Sequence, residues 1–149
     1  MTYSDTIDSS FAISGDCMIL IDKAYVKVSK AFPRIVRGWN GADYSYTKIN
    51  KTLTPQQLVN VKLTDGRNIE CSINTYFIID EALTSVKLKD LLKAKKHTIY
   101  TNMQGRTEDY DYVDIHSVMP VEKQSDITYT ITTVDSAHRV FINDIMIRC

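Results

Sequence analysis

Three histidines, three cysteines and the run Ser72-Ile73-Asn74-Thr75 are the residues whose chemistry could exceed that of a plain scaffold. His97, His116 and His138 are scattered, and none stands in a His-x-x-x-His pair; no Cys-x-x-Cys occurs either. That spacing makes no ready metal clamp, so a zinc site would need Cys17, Cys71, His138 and Cys149 to converge only in the fold. The five glycines are spread without a phosphate-cradling cluster, and the sequence calls for no cofactor. Taken singly, each histidine reads as a surface or hydrogen-bonded residue. Cys17 and Cys71 fall at alternating apolar positions and read as core thiols. Ser72 and Asn74 can satisfy backbone groups at a strand end, and Asp16 after Gly15 fits a turn.

The elements that must hold these residues are mostly strands. Val59, Val61 and Leu63 alternate with polar partners, Asp65-Gly66 supplies a hairpin turn, and Ile69, Cys71 and Ile73 alternate on the return. Ile127, Tyr129, Ile131 and Thr133 predict a second alternating strand. Val140–Ile147 predicts another, interrupted at Asn143-Asp144. Met18–Val28 reads as one long or two short strands, and Tyr110–Val121 as extended chain ending near Pro120. Val86, Leu88, Leu91 and Leu92 share one helical face, with Thr84 or Ser85 as N-cap and Lys93, Lys95 and Lys96 solvated in the last turn. A shorter helix is expected near Pro55, capped by Thr54. Trp39-Asn40-Gly41 and Gln104–Asp111 read as loops.

Composition sets the outer bounds. The chain has 149 residues, near the commonest size of one domain, with 18 Lys+Arg balancing 18 Asp+Glu. A formal charge of zero offers no long-range field for phosphate or anionic lipid, which argues against nucleic-acid or membrane partners held by bulk charge. Apolar runs such as Met18–Ile21 are far short of the roughly 20 residues a membrane helix needs. Met1–Phe11 is polar and acidic, with neither the basic nor the apolar region of a signal peptide. An odd number of cysteines fits a reducing compartment better than a disulfide framework. The nine tyrosines, with many Thr, Val and Ile, suit a pleated surface. The expectation is a monomeric, cytoplasmic, mainly β domain.

Three segments then resemble a known family, the inteins and other Hint domains. Ala12-Ile13-Ser14-Gly15-Asp16-Cys17-Met18-Ile19-Leu20 is similar to the opening block, Cys-x-x-Gly-Asp-Thr followed by apolar residues. Leu63 to Phe77, with Asp65-Gly66 and then Ser72-Ile73-Asn74-Thr75, resembles the second block, an Asp-Gly hairpin followed by Thr/Ser-x-x-His. His138 to Cys149 is similar to the closing blocks, which hold a His, aromatics, an Asn-Asp/Gly turn and a final His-Asn. The order and the distances from both ends agree with a mini-intein lacking a homing endonuclease, whose insertion point would fall at Gln104–Asp111. The resemblance implies an all-β, compact, horseshoe-like Hint fold of many short strands with one or two short helices, in which both termini meet at one site.

It also implies roles for particular positions. In the family a first Cys or Ser attacks the preceding carbonyl and turns an amide into a thioester or ester; Ala12 stands there and has no attacking atom. The second block polarises and strains that amide, its His acting as general acid to the leaving nitrogen. Ser72 and Asn74 match, whereas Thr75 replaces the histidine and cannot shuttle a proton near neutral pH. An Asp and a His assist the middle steps; Thr130 stands in the Asp position if one extra residue is allowed before His138, and His138 itself matches. Gly15, Asp16 and Cys17 complete the opening block as supporting residues. The final His-Asn pair falls on Arg148 and Cys149. In a second register Arg148 replaces the Asn, and Cys149 opens the C-terminal flank. Either way the amide side chain that would cyclise to a succinimide is missing.

Ala12 has three compatible origins. It is an engineered block, or a native feature of intein classes that use another Cys directly, or the mark of a decayed intein kept as a structural insert. Departures at Ala12, Thr75, Thr130, Arg148 and Cys149 together favour divergence. The reading is therefore a host-like flank at residues 1–11 and an intein-like domain at residues 12–149, autocatalytic in cis, single-turnover if active, and impaired in splicing. Its partners are its own flanking host segments (exteins). The alternative is a catalytically silent Hint-fold module that holds two host segments together. Tyr3-Ser4-Asp5-Thr6-Ile7-Asp8-Ser9 resembles the Tyr-x-Asp-Thr-Asp-Ser motif of family B DNA polymerases, interrupted by Ile7, which makes such a polymerase a candidate host.

Overall fold

A computed structural model describes residues 12–52, 57–95, 97–102, 110–122, 127–133 and 138–149. The expected helix near Pro55, the tract at residues 104–109 and the flank at residues 1–11 lie outside them. The described chain is built from short strands and two short helices, as the all-β expectation requires. Strands β1 (Met18–Ile21), β2 (Ala24–Lys27), β3 (Ile35–Trp39), β4 (Tyr44–Thr52), β7 (Tyr76–Ile78), β8 (Ser85–Lys87), β11 (Thr128–Thr133), β12 (Arg139–Ile142) and β13 (Ile145–Arg148) form one sheet. Its order is β11-β4-β3-β1-β12-β13-β7-β8, with β2 paired to β1. A second sheet runs β6-β5-β10-β9, from β6 (Asn68–Cys71), β5 (Val59–Leu63), β10 (Tyr110–Pro120) and β9 (Thr98–Asn102). Helix α1 spans Val28–Ala31 and α2 spans Leu88–Lys93.

Tight turns set the registers. Met18–Lys27 is two short strands folded at Asp22 and Lys23, both at positive φ. Asn143 and Asp144 do the same between β12 and β13, the left-handed pair that matches hairpin twist. Between β5 and β6, Gly66 takes a φ of +97°, and Asp65 accepts from the Arg67 amide and guanidinium. β10 pairs with β9 over Tyr110–Asp114 and with β5 from Ile115 onward, its register shifting at Ile115/Ser117.

Three local expectations are corrected. The helix begins at Leu88, since Ser85–Lys87 pair with β7 as a strand; Val86 is opposite Phe77, and Lys87, without a side-chain cap, precedes the helix. Ladder bonds to β7 outweigh the helical spacing there. Ile73 leaves the alternation and is exposed, because β6 stops at Cys71 and a turn follows. Trp39 closes β3 and is buried, so the loop starts at Asn40.

The main core gathers Ile13, Ile19, Ile49, Val61, Ile69, Phe77, Leu88, Ile131, Val140 and Ile147, with Cys17 and Cys71 among them. A smaller cluster of Leu20, Trp39, Ile78, Phe141 and Met146 occupies the other face of the β13-β7 pair. No described helix is long and apolar enough to cross a membrane.

Candidate functional site

The N-terminal end of the domain is built around one residue. Ile13 bridges Cys71 on one side and Tyr129 on the other, so the chain here is a single-residue strand joining the two sheets. Ile13 exchanges both backbone hydrogen bonds with Tyr129, at 2.9 and 3.0 Å. Antiparallel register then sets Ala12 between Ser72 and Thr130. The Ala12 amide donates to Ser72 Oγ at 3.2 Å, and the Ser72 amide donates to the Ala12 carbonyl at 2.9 Å.

Ser72 and Thr75 close the turn after β6. The Thr75 amide donates to the Ser72 carbonyl, and their hydroxyls are 3.3 Å apart. Both side chains are buried, where an unmatched hydroxyl would be costly. Burial pushes the thiols of Cys17 and Cys71 up to about 12, so both stay protonated and act as core groups, as expected from their alternation.

The C-terminal end arrives on the β12-β13 hairpin. The Cys149 amide donates to the His138 carbonyl at 2.8 Å, which puts the two residues opposite one another. On the other side Ile147 faces Phe77 and Arg148 faces Tyr76, where the ladder ends with Cys149 following on one strand and Thr75 preceding on the other. Cys149 packs against the main core, on the same strand face as Ile147. His138 is exposed and takes a φ of +52°.

Ala12, Ser72, Thr75, Thr130, His138 and Cys149 thus share one end of the molecule. Asn74 is half-buried in the 72–75 turn. Thr130 lies opposite Asn50 on β4 as well as beside Ala12. Arg148 is turned to the other strand face, its guanidinium 5.8 Å from the Tyr76 ring and its Nη1 3.5 Å from Ser85 Oγ. Asp16 is exposed and pairs with Lys27 at 3.6 Å, away from the Ser72–Thr75 pair. Gly15 supports the site from behind: a Cβ there would sit 2.7 Å from the Tyr129 ring and 2.9 Å from Ser29 Cβ. The sequence did not single out Tyr129 as a site residue, although its inward phase in the alternation marks it as the partner Ile13 needs. Among the described residues no three His, Cys, Asp or Glu side chains are grouped to hold a metal ion.

Chemically, the arrangement puts two linked hydroxyls on the amide nitrogen of Ala12, and the backbone bond between Cys149 and His138 sets a thiol-bearing and an imidazole-bearing residue opposite one another. Thr75, with a hydroxyl in place of a titratable side chain, closes the turn that begins at Ser72.

No protein-family model matches the chain. Among curated proteins, the ribonucleoside-diphosphate reductase large subunit of Invertebrate iridescent virus 6 is 26% identical over 115 residues, 77% of this chain and 11% of the reductase. The match therefore spans about a tenth of that relative's length, and it gives the polymerase-like reading of Tyr3–Ser9 no support. Among solved structures, a variant of the Ssp DnaB mini-intein aligns with a TM-score of 0.78 at 17% identity, covering 94% of this chain and 95% of that one. A DnaB intein from Synechocystis sp. PCC 6803 gives 0.77 at 20% identity, over 94% and 99%. The gp41-1 intein gives 0.73 at 13% identity, over 94% and 99%. The chain has the intein fold.

Proposed function

We propose that this chain, with the fold of the mini-inteins, is a divergent self-processing domain at residues 12–149, embedded between host segments of which residues 1–11 are one. The observation that carries the reading is the convergence of both ends on the Ser72–Thr75 turn: Ala12 is hydrogen-bonded to Ser72, and β13 ends with Arg148 opposite Tyr76, the residue next to Thr75.

Ala12 has no nucleophilic atom, so the acyl shift cannot begin there. In the register that ends the insert at Arg148, Cys149 becomes the first residue of the following flank and supplies the nucleophile. His138 takes the proton from its thiol, and the thiolate attacks the carbonyl of residue 11. The bond to the Ala12 nitrogen breaks, the Ser72 hydroxyl gives that nitrogen a proton, Thr75 passes Ser72 a replacement, and the proton held on His138 returns through solvent to restore Thr75. The upstream flank is then a thioester on Cys149 Sγ. Arg148 cannot cyclise, so the bond before Cys149 persists and the reaction stops at this branched chain. Splicing is impaired at that second step.

The reductase match fits the same reading. A likeness confined to about a tenth of a long enzyme is what an embedded domain of this kind would leave. We take a ribonucleoside-diphosphate reductase as a better-supported host type than a DNA polymerase.

Intact-mass analysis of the chain between two tags tests the proposal. A branched precursor, or an upstream tag released by added thiol, is expected. An unchanged precursor would leave a silent module that holds two host segments together.

A further inference from the structure

A row of like charges crosses four neighbouring strands beside Cys149. Lys87 on β8 lies directly opposite Tyr76 on β7, Tyr76 opposite Arg148 on β13, and Arg148 opposite Arg139 on β12. Directly opposed residues share a sheet face, so Lys87, Tyr76, Arg148 and Arg139 form one line about 14 Å long at ordinary strand spacing. The side chains agree with the register: Lys87 Nζ lies 5.7 Å and Arg148 Cζ 5.8 Å from the Tyr76 ring centre. Ser85, two residues from Lys87 on the same face, adds a hydroxyl 3.5 Å from Arg148.

Among the described residues no ion pair involves Lys87, Arg139 or Arg148; the described ion pairs are Lys27–Asp16, Arg37–Asp22 and Arg67–Asp65. Among the described residues no carboxylate reaches these cations at ion-pair distance, and the arrangement is unfavourable. Like charges directly across a strand pair repel, and Arg139–Arg148 is a non-hydrogen-bonded pair, in which Cα atoms come to about 4.5 Å. The row also rims the smaller apolar cluster, where Ile78, Phe141 and Met146 continue the same face inward. The fold tolerates a repulsive line that a bound anion would relieve.

We propose that this row docks an acidic segment of the C-terminal flank, a carboxylate-rich stretch of host chain following Cys149. This rests on the reading of the domain as an insert between host segments. Strand geometry selects the flank over a free partner. The row passes through the residue just before Cys149, and a chain continuing β13 would turn its next odd-phase side chain, the residue after Cys149, to the face of Arg148. A tethered segment also meets the row at millimolar effective concentration, which offsets the weakness of each exposed pair.

The test extends the whole chain at its C-terminus with a short tail rich in Asp and Glu, against the same tail with Asn and Gln. Masses confirm that both ends are intact. The acidic tail is expected to raise Tm by about 2–4 °C over the amide tail in low salt. That gap should close at about 0.5 M salt, where charges are screened within about 4 Å. Arg139→Gln with Lys87→Gln should abolish the gap without lowering the Tm of the untailed chain, and Lys48→Gln should leave it. Equal Tm values for the two tails, or a gap that survives Arg139→Gln/Lys87→Gln, would overturn the proposal. So would an oligothymidylate that raises Tm through these residues while the acidic tail does not. Because the readout breaks no peptide bond, its failure is separable from failure of the self-processing reading.

Discussion

Ala12 and Ser72 hold each other by two hydrogen bonds that run in opposite directions. The Ala12 amide donates to the Ser72 hydroxyl at 3.2 Å, and the Ser72 amide donates to the Ala12 carbonyl at 2.9 Å. One is a ladder bond that any residue could make. The other requires a short hydroxyl side chain, and it lands on the nitrogen that must gain a proton if the bond before Ala12 breaks. Thr75 Oγ1, 3.3 Å from Ser72 Oγ, continues the chain of hydroxyls inward.

Removing that hydroxyl strands a buried donor. Ser72→Ala should cost about 1–3 kcal/mol in urea unfolding, the range for a buried group left unmatched. Thr75→Val should cost about 1 kcal/mol. Because the two side chains share one interaction, the double variant should fall short of the sum by more than about 0.5 kcal/mol. Strict additivity would show that the hydroxyls act independently.

Gly15 is held to its size by Tyr129. A Cβ 2.7 Å from the ring and 2.9 Å from Ser29 Cβ cannot be accommodated in place, so Gly15→Ala should cost about 1–3 kcal/mol through displacement of Tyr129. The urea midpoint should drop with an unchanged slope. An unaltered midpoint would mean that the Ile13–Tyr129 bridge does not depend on this contact.

Thiol chemistry should separate the cysteines. Cys17 and Cys71 are buried and pushed up to about 12, whereas Cys149 is only partly buried. A maleimide at pH 8 should label one thiol per native chain, at Cys149, and all three after denaturation. Rapid native labelling of Cys17 or Cys71 would contradict the packing described for β6.

Asp65 should report on the β5-β6 hairpin in acid. Partial burial pushes its carboxyl up, but hydrogen bonds from the Arg67 side chain and amide outweigh this and hold it below its ordinary value of 3.8. The folded state therefore favours the ionised form. Its contribution to stability is complete above the unfolded value and is lost as pH falls through the folded one. The urea midpoint of the native chain should thus fall more steeply below pH 4 than that of Asp65→Asn. Parallel curves would remove Arg67 as the cause.

Much of this architecture was legible in the residues. Asp65-Gly66 and Asn143-Asp144 announce their hairpins because only certain residues tolerate the positive φ that Gly66, Asn143 and Asp144 adopt in these tight turns. The alternation at Ile69-Cys71 and Tyr129-Ile131 assigns the buried face correctly. Val86 misled because a residue on a three-residue strand abutting a helix satisfies both periodicities, and pairing to β7, which one sequence does not display, decides between them. Resemblance singled out Ala12, Ser72, Thr75, His138 and Cys149, and the fold links Ala12 to Ser72, Ser72 to Thr75, and Cys149 to His138 by hydrogen bonds. Spacing alone could not reveal that Ile13 joins two sheets, or that Arg148 faces Tyr76 and Arg139, since both depend on registers between strands. The cationic row was invisible for the same reason: Lys87 and Arg139 become neighbours of Arg148 only across the sheet.

The most direct measurement is the intact mass of the chain between two tags carrying Arg148→Asn, with and without Cys149→Ala. If Cys149 attacks the upstream junction and the missing amide at position 148 is what halts the reaction, Arg148→Asn should produce ligated tags joined through Cys149, and adding Cys149→Ala should abolish them. An unchanged precursor in Arg148→Asn, or ligation that persists without Cys149, would contradict the account.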